Sequence, residues 1–443
     1  MRGVILAATV VFGLALTSGC RKAGPPPAGE RPLPSGPRAG AGGSLTVWDW
    51  LSADPSQGVG HWLIDVDKAF EKAHPGVRVN HVAQSHTEYY QILKAAEAAA
   101  GEAGGPDVVM IHQGSRVLDH KASLVPLDRY LKPELRKAIV GWELTSEGLS
   151  ADGTPYAVPV AVQGNAWYYN KSILTKAGVD PEAPPATWDE FLAVCDKVKA
   201  SGVAPIACGE KEGDWADWFL NSSSFLELSA DEAAKLQRGE MAWTDPKVAA
   251  LFTRLEQLGK RGMFQEGFLS TPLFPDAGEV FMRGEAAFCL GLLSDVAHWK
   301  EFGEILGEGN LGVMPCPGTG MIPVGGGFAY GITSWSQQPD LAFEYITLIV
   351  SDANANEFLK QAGSFPANQN FDPRLIADPN AKIIASWLAE KRVAAPLTGK
   401  IPTEVVESIK REGQRILSGQ TDVPGALKAI EATAARTKAG RAK

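Results

Sequence analysis

Short apolar strands alternate with amphipathic helices near the start of this 443-residue chain, and this alternation limits the fold more than any other feature. Residues 44–50, 77–82 and 106–111 have the composition of strands, and the last is continuously apolar, as in a parallel strand buried on both faces. Residues 62–73 have apolar side chains at helical spacing, and the alanine-rich residues 89–100 form a second predicted helix. The order strand, helix, strand, helix, strand predicts an α/β fold with doubly wound sheets.

The same alternation continues in the second half of the chain. Thr187 with Glu190 three residues later has the pattern of a capping box that starts a helix. Residues 204–207 and 286–290 are predicted strands, and residues 342–350 form a strongly apolar helix. A chain of this length is too long for one ordinary core and suits two lobes of about 150 to 200 residues each.

Composition and charge exclude some partners. The hydrophobic fraction of 45% and the charged fraction of 21% are those of a folded protein. The formal net charge is −9, and no stripe of Lys and Arg follows any segment. Nucleic acid is therefore not an expected partner, because phosphate binding needs a basic face.

The first twenty residues have the pattern of a bacterial export signal. Arg2 precedes an almost wholly apolar run at residues 4–16, which is too short to span a bilayer. The sequence LTSGC at residues 16–20 resembles a lipobox, which implies that Cys20 is lipidated and becomes the mature N-terminus. A plain secretory signal with an incidental cysteine is the alternative. Residues 21–43 are rich in Pro and Gly, so we expect a flexible tether there.

Four further cysteines leave two interpretations open. Cys195, Cys208, Cys289 and Cys316 allow three pairings in an exported protein, and the pairs nearest in sequence are 195 with 208 and 289 with 316. The alternative is four isolated thiols in hydrophobic cores. No CxxC motif occurs, so the sequence indicates neither a zinc cluster nor a redox pair.

Nine short segments occur in a characteristic order along the chain. They are LTVW (45–48), GPDVV (105–109), LVPLD (124–128), YAVP (156–159), YNK (169–171), PPATWDEF (184–191), FMRGEAAF (281–288), PCPGT (315–319) and GGG (325–327). Together they resemble the bacterial extracellular solute-binding proteins of family 1, which include maltose-binding and glucose-binding lipoproteins of ABC importers. The resemblance covers about residues 44 to 435.

This resemblance implies a periplasmic-binding-protein-like fold with two lobes, a hinge and a central ligand cleft. The implied N-terminal lobe comprises residues 44–160 and 326–368, and the C-terminal lobe comprises residues 161–325 and 369–443. The implied function is to bind a mono- or oligosaccharide outside the cytoplasm and to deliver it to an ABC importer. We expect a monomer that needs no cofactor, contacts the permease subunits, and is held at the membrane only by its lipid anchor, facing the periplasm or the extracellular space.

Candidate ligand contacts follow from the chemistry of sugars and from the resemblance. A sugar has apolar C–H faces and a rim of hydroxyls, so it needs aromatic platforms and polar side chains beside them. Ligands of open α/β sheets bind at the carboxyl ends of strands, and the strand pattern turns Asp49 away from that site. The candidates at the ends of the first and third strands are Trp48, Trp50, Asp54, His112 and Gln113. The resemblance adds Gln163, Trp215, Trp218, Asp295, Gly326 and Phe365.

The chain departs from the family pattern at one point. After the strand that ends at Leu290, the family usually has Gly-x-Trp, and this chain has LLSD at residues 292–295. The carboxylates of Asp54, Asp214, Asp217 and Asp295 keep a polyamine or another small solute open as the ligand. A secreted glycosidase is a remote alternative, since no segment pairs two carboxylates for hydrolysis. The sequence therefore predicts a binding protein and not an enzyme.

Overall fold

Two mixed β-sheets organise the computed structural model, which describes residues 43–53, 56, 58–86, 88–99, 105–293, 298–325 and 327–441. The strands are β1 (Ser44–Asp49), β2 (Arg78–Ala83), β3 (Val108–His112), β4 (Val158–Pro159), β5 (Ala161–Val162), β6 (Asn165–Asn170), β7 (Ala204–Ala207), β8 (Ala286–Leu292), β9 (Leu311–Met314), β10 (Ile322–Pro323), β11 (Phe328–Ile332), β12 (Phe365–Pro366) and β13 (Val393–Ala394). The α-helices are α1 (Gly58–Ala73), α2 (Tyr89–Ala98), α3 (Ser115–His120), α4 (Pro133–Ala138), α5 (Lys171–Lys176), α6 (Trp188–Ala200), α7 (Asp214–Ser223), α8 (Ala230–Gln237), α9 (Pro246–Lys260), α10 (Gly278–Met282), α11 (His298–Leu306), α12 (Pro339–Ile349), α13 (Asp352–Ala362), α14 (Pro379–Ala389), α15 (Thr403–Leu417) and α16 (Val423–Arg441).

The two sheets share a mixed topology. The first sheet has the order β2-β1-β3-β11-β4, with β1 parallel to β2 and β3 and with β11 antiparallel to β3 and β4. The second has the order β7-β8-β6-β9, with β7 parallel to β8 and with β6 antiparallel to β8 and β9. Each sheet thus combines parallel strands joined through helices with one strand that enters in the opposite direction.

The α/β pattern predicted from the sequence is confirmed. The predicted elements between residues 44 and 111 form β1, α1, β2, α2 and β3 in that order, although α1 begins at Gly58, one turn before the predicted start. The Thr187 side chain accepts a hydrogen bond from the main-chain N–H of Glu190 at 3.2 Å, and the Glu190 carboxylate accepts one from the N–H of Thr187 at 3.0 Å. This reciprocal pair is the expected capping box at the start of α6.

Separate hydrophobic clusters lie against the two sheets. Leu45, Val47 and Val108 of the first sheet are fully buried and pack with side chains of α1, α12 and α13. Trp167 and Phe288 of the second sheet are equally buried and pack with side chains of α6, α7 and α9. Helices on the faces of each sheet leave the carboxyl ends of β1, β3 and β7 clear for the loops that follow.

The chain passes between the sheets where short strands lie. β4 belongs to the first sheet and β6 to the second, and the intervening β5 pairs with β12. A second passage leads from β9 in the second sheet to β11 in the first. The lobe limits at residues 160, 325 and 368 stay predictions.

The helices and the cysteines answer two further questions that the sequence raised. Within the described residues, no helix combines the length and the apolar character that crossing a membrane requires. Cys195, Cys208, Cys289 and Cys316 are all buried free thiols, so neither pair of cysteines nearest in sequence is joined. Cys20 and the tether lie outside the described residues.

Candidate functional site

Aromatic side chains gather where β1 and β3 end. The Trp50 ring stacks on the His112 imidazole with centroids 4.4 Å apart and an angle of 17° between the planes. Tyr89 packs its edge against Trp50 at 4.9 Å, and the His86 ring lies 5.7 Å away. Trp48, two residues before Trp50, packs against the same buried cluster. We call Trp50, His86 and His112 the first wall.

His112 is held as a neutral imidazole. Its main-chain N–H donates to the Tyr90 hydroxyl oxygen at 2.9 Å, and its Nδ1 lies 2.7 Å from the same oxygen. Burial lowers the pKa of His112 to about 3, and the positive charges of Arg116 and Lys410 act in the same direction. A neutral ring can lie flat on Trp50 and still hydrogen-bond through its nitrogens.

A buried polar network fixes the turn that carries Trp50. Asp49 is fully buried, and its Oδ1 accepts hydrogen bonds from the N–H groups of Leu51 and Ser52 at 2.5 and 2.6 Å. Its Oδ2 lies 2.6 Å from Nε2 of His81, whose Nδ1 lies 2.8 Å from the Asp67 carboxylate. These two carboxylates raise the pKa of His81 to about 9 against the opposing effect of desolvation by burial. Asp49 therefore points away from Trp50, as the strand pattern predicted, and holds the turn from the buried side.

A second group of side chains follows β7. Helix α7 begins with Asp214 after Gly213, which has a φ of 79°, and Trp218 lies one turn further along the same face. Lys410 of α15 places its Nζ 2.6 Å from Oδ1 of Asp214 and 3.6 Å from the Glu407 carboxylate. We call Asp214, Trp218 and Lys410 the second wall.

The two walls lie close enough to interact through their charges. Desolvation lowers the pKa of His86, and the negative charge of Asp214 opposes that shift. Lys410 in turn contributes to the low pKa of His112. Ion pairs join the same parts of the chain: Arg116, on the helix that follows β3, lies 3.8 Å from Glu407, and the Glu407 carboxylate lies 3.6 Å from Lys410 of the second wall. The space between the walls is the candidate ligand site.

Two carboxyl groups beneath the second wall have raised pKa values. Glu210 is fully buried, and its Oε2 accepts a hydrogen bond from the N–H of Ala216 at 3.0 Å. Burial raises the pKa of Glu210 to about 8, and burial also raises that of Asp217 to about 6. Asn221 donates to Asp217 Oδ2 at 3.1 Å. Burying these groups without full partners disfavours their charged forms.

Three of the expected ligand contacts are buried side chains in the structure. Trp215 is only 1% exposed and stacks on Phe219 in the core of the second sheet. Phe365 is also 1% exposed and pairs through β12 with Val162 of β5. Gln113 is 7% exposed, and its Nε2 donates to the carbonyls of Ala161 and Phe328, each at 3.2 Å. These side chains hold the core and the passage between the sheets together.

The remaining expected contacts divide into two groups. Gln163 is half-buried between β5 and β6, and its carbonyl accepts a hydrogen bond from the N–H of Gly325 at 2.7 Å. It thus lies where two passages of the chain between the sheets meet. Asp54, Asp295 and Gly326 lie outside the described residues.

Sequence reasoning missed three residues of this region. His86 follows the carboxyl end of β2, so the rule applied to β1 and β3 would also have found it. Tyr90 lies on α2 and is identified only by its bond to His112. Lys410 lies 196 residues beyond Asp214 on a C-terminal helix, and no local pattern indicates their contact.

The arrangement as a whole defines a class of protein. Two mixed sheets covered by helices, with short crossing segments between them, form the periplasmic-binding-protein-like fold. The chain belongs to the bacterial extracellular solute-binding protein family, because the model of that family matches residues 65–383.

Individual relatives extend this comparison. An extracellular-binding protein of an ABC transporter from Pyrococcus horikoshii is 24% identical over 295 residues, or 66% of this chain and 65% of that protein. A binding protein from Brucella abortus is 33% identical over 251 residues, or 51% of this chain and 59% of that protein. The chain thus spans less than two thirds of the length of these two curated relatives.

A solved structure gives the same fold. The structure of a chitin oligosaccharide binding protein matches this chain with a TM-score of 0.79 at 23% identity. The match covers 89% of this chain and 99% of that one. At such low identity, the likeness establishes the fold of the chain and not its ligand.

Proposed function

We propose that this chain captures a mono- or oligosaccharide outside the cytoplasm and delivers it to an ABC importer. Family membership supports export and solute binding. The relative from Pyrococcus horikoshii, which is described as part of an ABC transporter, supports the importer as partner. The likeness to a chitin oligosaccharide binding protein supports a sugar as ligand. Closure of the lobes about the hinge would make the form that the permease subunits recognise.

The partial exposure of Trp50 in the first wall and of Trp218 in the second is the observation that carries this proposal. Each ring is partly exposed, and each stands beside groups that form hydrogen bonds: His86 and His112 in the first wall, Asp214 in the second. A pyranose ring needs such a combination, because its faces are apolar and its rim consists of hydroxyls. Trp48 and Gln163 complete the proposed set of contacts.

The charge balance of the walls favours a neutral ligand. The carboxylate of Asp214 is neutralised by Lys410 at 2.6 Å, and His112 stays uncharged because its pKa is low. A polyamine would need carboxylates without a cationic partner, and an anionic solute would need a free cation. Among the described wall residues, Asp214 and Lys410 neutralise each other. A neutral solute rich in hydroxyls therefore fits better than a polyamine or an anion.

The proposed role ends with binding and release, and no residue is assigned a catalytic step. The family model and the relative from Brucella abortus both describe binding proteins. Anchoring at the membrane through Cys20 is part of the proposal and rests on the lipobox alone. The monomeric state is proposed with it.

A thermal-shift screen of the purified full chain tests the proposal. The panel contains glucose, galactose, xylose, maltose and N,N′-diacetylchitobiose. Spermidine and glycerol 3-phosphate are included as charged alternative ligands. A ligand at 100 times its dissociation constant adds about 2.7 kcal/mol to the free energy of unfolding, so binding raises the melting temperature visibly. A shift with a sugar is expected. A shift with spermidine or glycerol 3-phosphate, together with no shift for any of the sugars, would refute the proposal.

A further inference from the structure

Phe274 presents its aromatic ring to solvent beside the candidate site. Its side chain is 40% exposed, whereas that of the preceding Leu273 is 6% exposed. The backbone of Phe274 is extended, with φ −120° and ψ 134°, so consecutive side chains point in opposite directions. Leu273 consequently packs inward, and Phe274 points outward.

The segment that carries Phe274 is fixed to the loop after β7. The N–H of Lys211 donates to the carbonyl of Thr271 at 3.1 Å, and the N–H of Leu273 donates to the Glu212 carboxylate at 3.3 Å. A Cβ atom on Gly209 would lie 2.4 Å from the carbonyl oxygen of Pro272, so the two backbones are in direct contact. Phe274 is therefore held in place relative to α7, which starts immediately after that loop.

Its neighbour connects Phe274 to the second wall. The rings of Phe274 and Trp218 lie 5.5 Å apart with an angle of 64° between their planes. Trp218 shares one face of α7 with Asp214, four residues earlier, and the charge of Asp214 acts on His86 in the first wall. The two tilted rings thus form an apolar corner at the second wall.

The segment after β8 offers no comparable surface in its described part. Leu292 is 5% exposed and Leu293 is fully buried, so neither presents an apolar face to a ligand. Aromatic rings bind the C–H faces of sugars through their area and quadrupole, and an aliphatic side chain lacks the second contribution. An exposed ring that is braced by another ring is well suited to this contact, since it loses little side-chain freedom when the ligand binds.

We propose that Phe274, together with Trp218, forms the platform for the C–H face of a pyranose ring and so determines which sugars bind. This inference rests on the proposed function, because it names the residue that reads the sugar in the same site. Phe274 contributes an aromatic surface that Leu292 and Leu293, the described residues at the end of β8, do not offer.

Titration calorimetry of the full chain with maltose and N,N′-diacetylchitobiose tests the role of Phe274. Phe274→Ala should weaken the binding of the better of these two sugars at least tenfold. Phe274→Tyr should retain binding within about threefold, whereas Phe274→Leu should lose most of it, since only the first keeps a ring. Ile305→Ala removes an even more exposed apolar side chain, on α11, and should leave affinity unchanged.

Each outcome decides the matter. Equal affinity of the unaltered protein and Phe274→Ala would overturn the platform and leave sugar binding intact. Affinity retained by Phe274→Leu would show that apolar bulk alone suffices and would also overturn it. If the unaltered protein binds neither sugar, the platform is refuted for both of them, and the thermal-shift screen still decides whether the chain binds any other sugar. The melting temperature of each ligand-free variant, expected within a few degrees of the parent, separates lost contact from lost fold.

Discussion

The chemistry of single residues around the site depends on how the fold desolvates them. His112 and Glu210 are both ionisable in water, yet burial keeps the first neutral by lowering its pKa and favours the neutral form of the second by raising it. His81 behaves in the opposite way, because Asp49 and Asp67 stabilise its charged form. Burial therefore decides the charge only where no ionised partner is present.

Glu210→Gln should stabilise the protein in alkaline solution. The pKa of Glu210 rises from a usual value of 4.5 to about 8 in the folded state, so the folded protein binds this proton more tightly than the unfolded chain does. The parent consequently loses stability as the pH rises from about 4.5 to about 8. Glutamine does not ionise. In urea unfolding, the free energy of unfolding of the variant relative to that of the parent should increase by on the order of 2–4 kcal/mol when the pH is raised from 5 to 9.

A matched control limits the interpretation of that result. Glu266→Gln changes an exposed carboxylate and should show no comparable difference between the two pH values. Equal gains for both variants would mean that net charge, and not the burial of Glu210, causes the effect. No gain for Glu210→Gln would contradict the assignment of a raised pKa.

The location of single aromatic residues was only partly predictable. Trp50 was expected at the site because a residue at the carboxyl end of a strand has that position in any open α/β sheet. Trp215 and Trp218 could not be separated, because they are three residues apart on one helix. Phe219 and Phe264, which enclose Trp215, come from the neighbouring turn and from another segment, and only the folded chain brings them together.

At the level of elements, local patterns were reliable and non-local pairing was not. The capping box of α6 and the limits of β7 depend on adjacent residues, and both agree with the sequence prediction. The insertion of β11 between β3 and β4 joins residues more than 150 positions apart. No periodicity within a strand specifies such a partner, so the mixed character of the first sheet could not be foreseen.

Gly213 illustrates how an element positions the site. Its φ of 79° is unfavourable for other residues, and a Cβ there would lie 2.9 Å from the Cβ of Lys410. Gly213→Ala should therefore cost at least about 2 kcal/mol of unfolding free energy, because backbone strain and overpacking add. It should also weaken sugar binding, since α7 carries Asp214 and Trp218. Urea unfolding and calorimetry measure the two effects.

Gly267→Ala separates strain from collision. Gly267 has nearly the same φ, 77°, but no atom lies within 4 Å of its hypothetical Cβ. Its substitution should cost only about 1 kcal/mol and leave affinity unchanged. If both variants lose the same stability and bind sugar equally well, the contact between Gly213 and Lys410 does not position the second wall.

At the scale of the whole molecule, direct contacts join the helices of the two sheets beside the site. Helix α3 follows β3 of the first sheet, and α15 packs on α7 and α9 of the second. The Thr403 hydroxyl donates to Asp119 Oδ2 at 2.6 Å, and the Ser115 hydroxyl donates to the carbonyl of Ile401. Arg116 lies 3.8 Å from Glu407. These contacts join α3, which follows the first wall, to α15, which carries Lys410 of the second wall, so they hold the two walls close together.

Weakening these contacts should therefore open the ligand-free molecule. Thr403→Val removes the hydroxyl that bonds Asp119 but nearly preserves the shape of the side chain. Small-angle scattering without ligand should give a larger radius of gyration than the parent, and saturating sugar should restore the parent value. Affinity should fall by the same factor as the population of the closed form, because only that form binds productively.

Thr175→Val, which removes a hydroxyl bonded within α5, should change neither the radius of gyration nor the affinity. A radius of gyration identical in parent and Thr403→Val would mean that the passages between the sheets alone set the separation of the walls, and that closure is decided at β5 and β12 and not at the rim of the site.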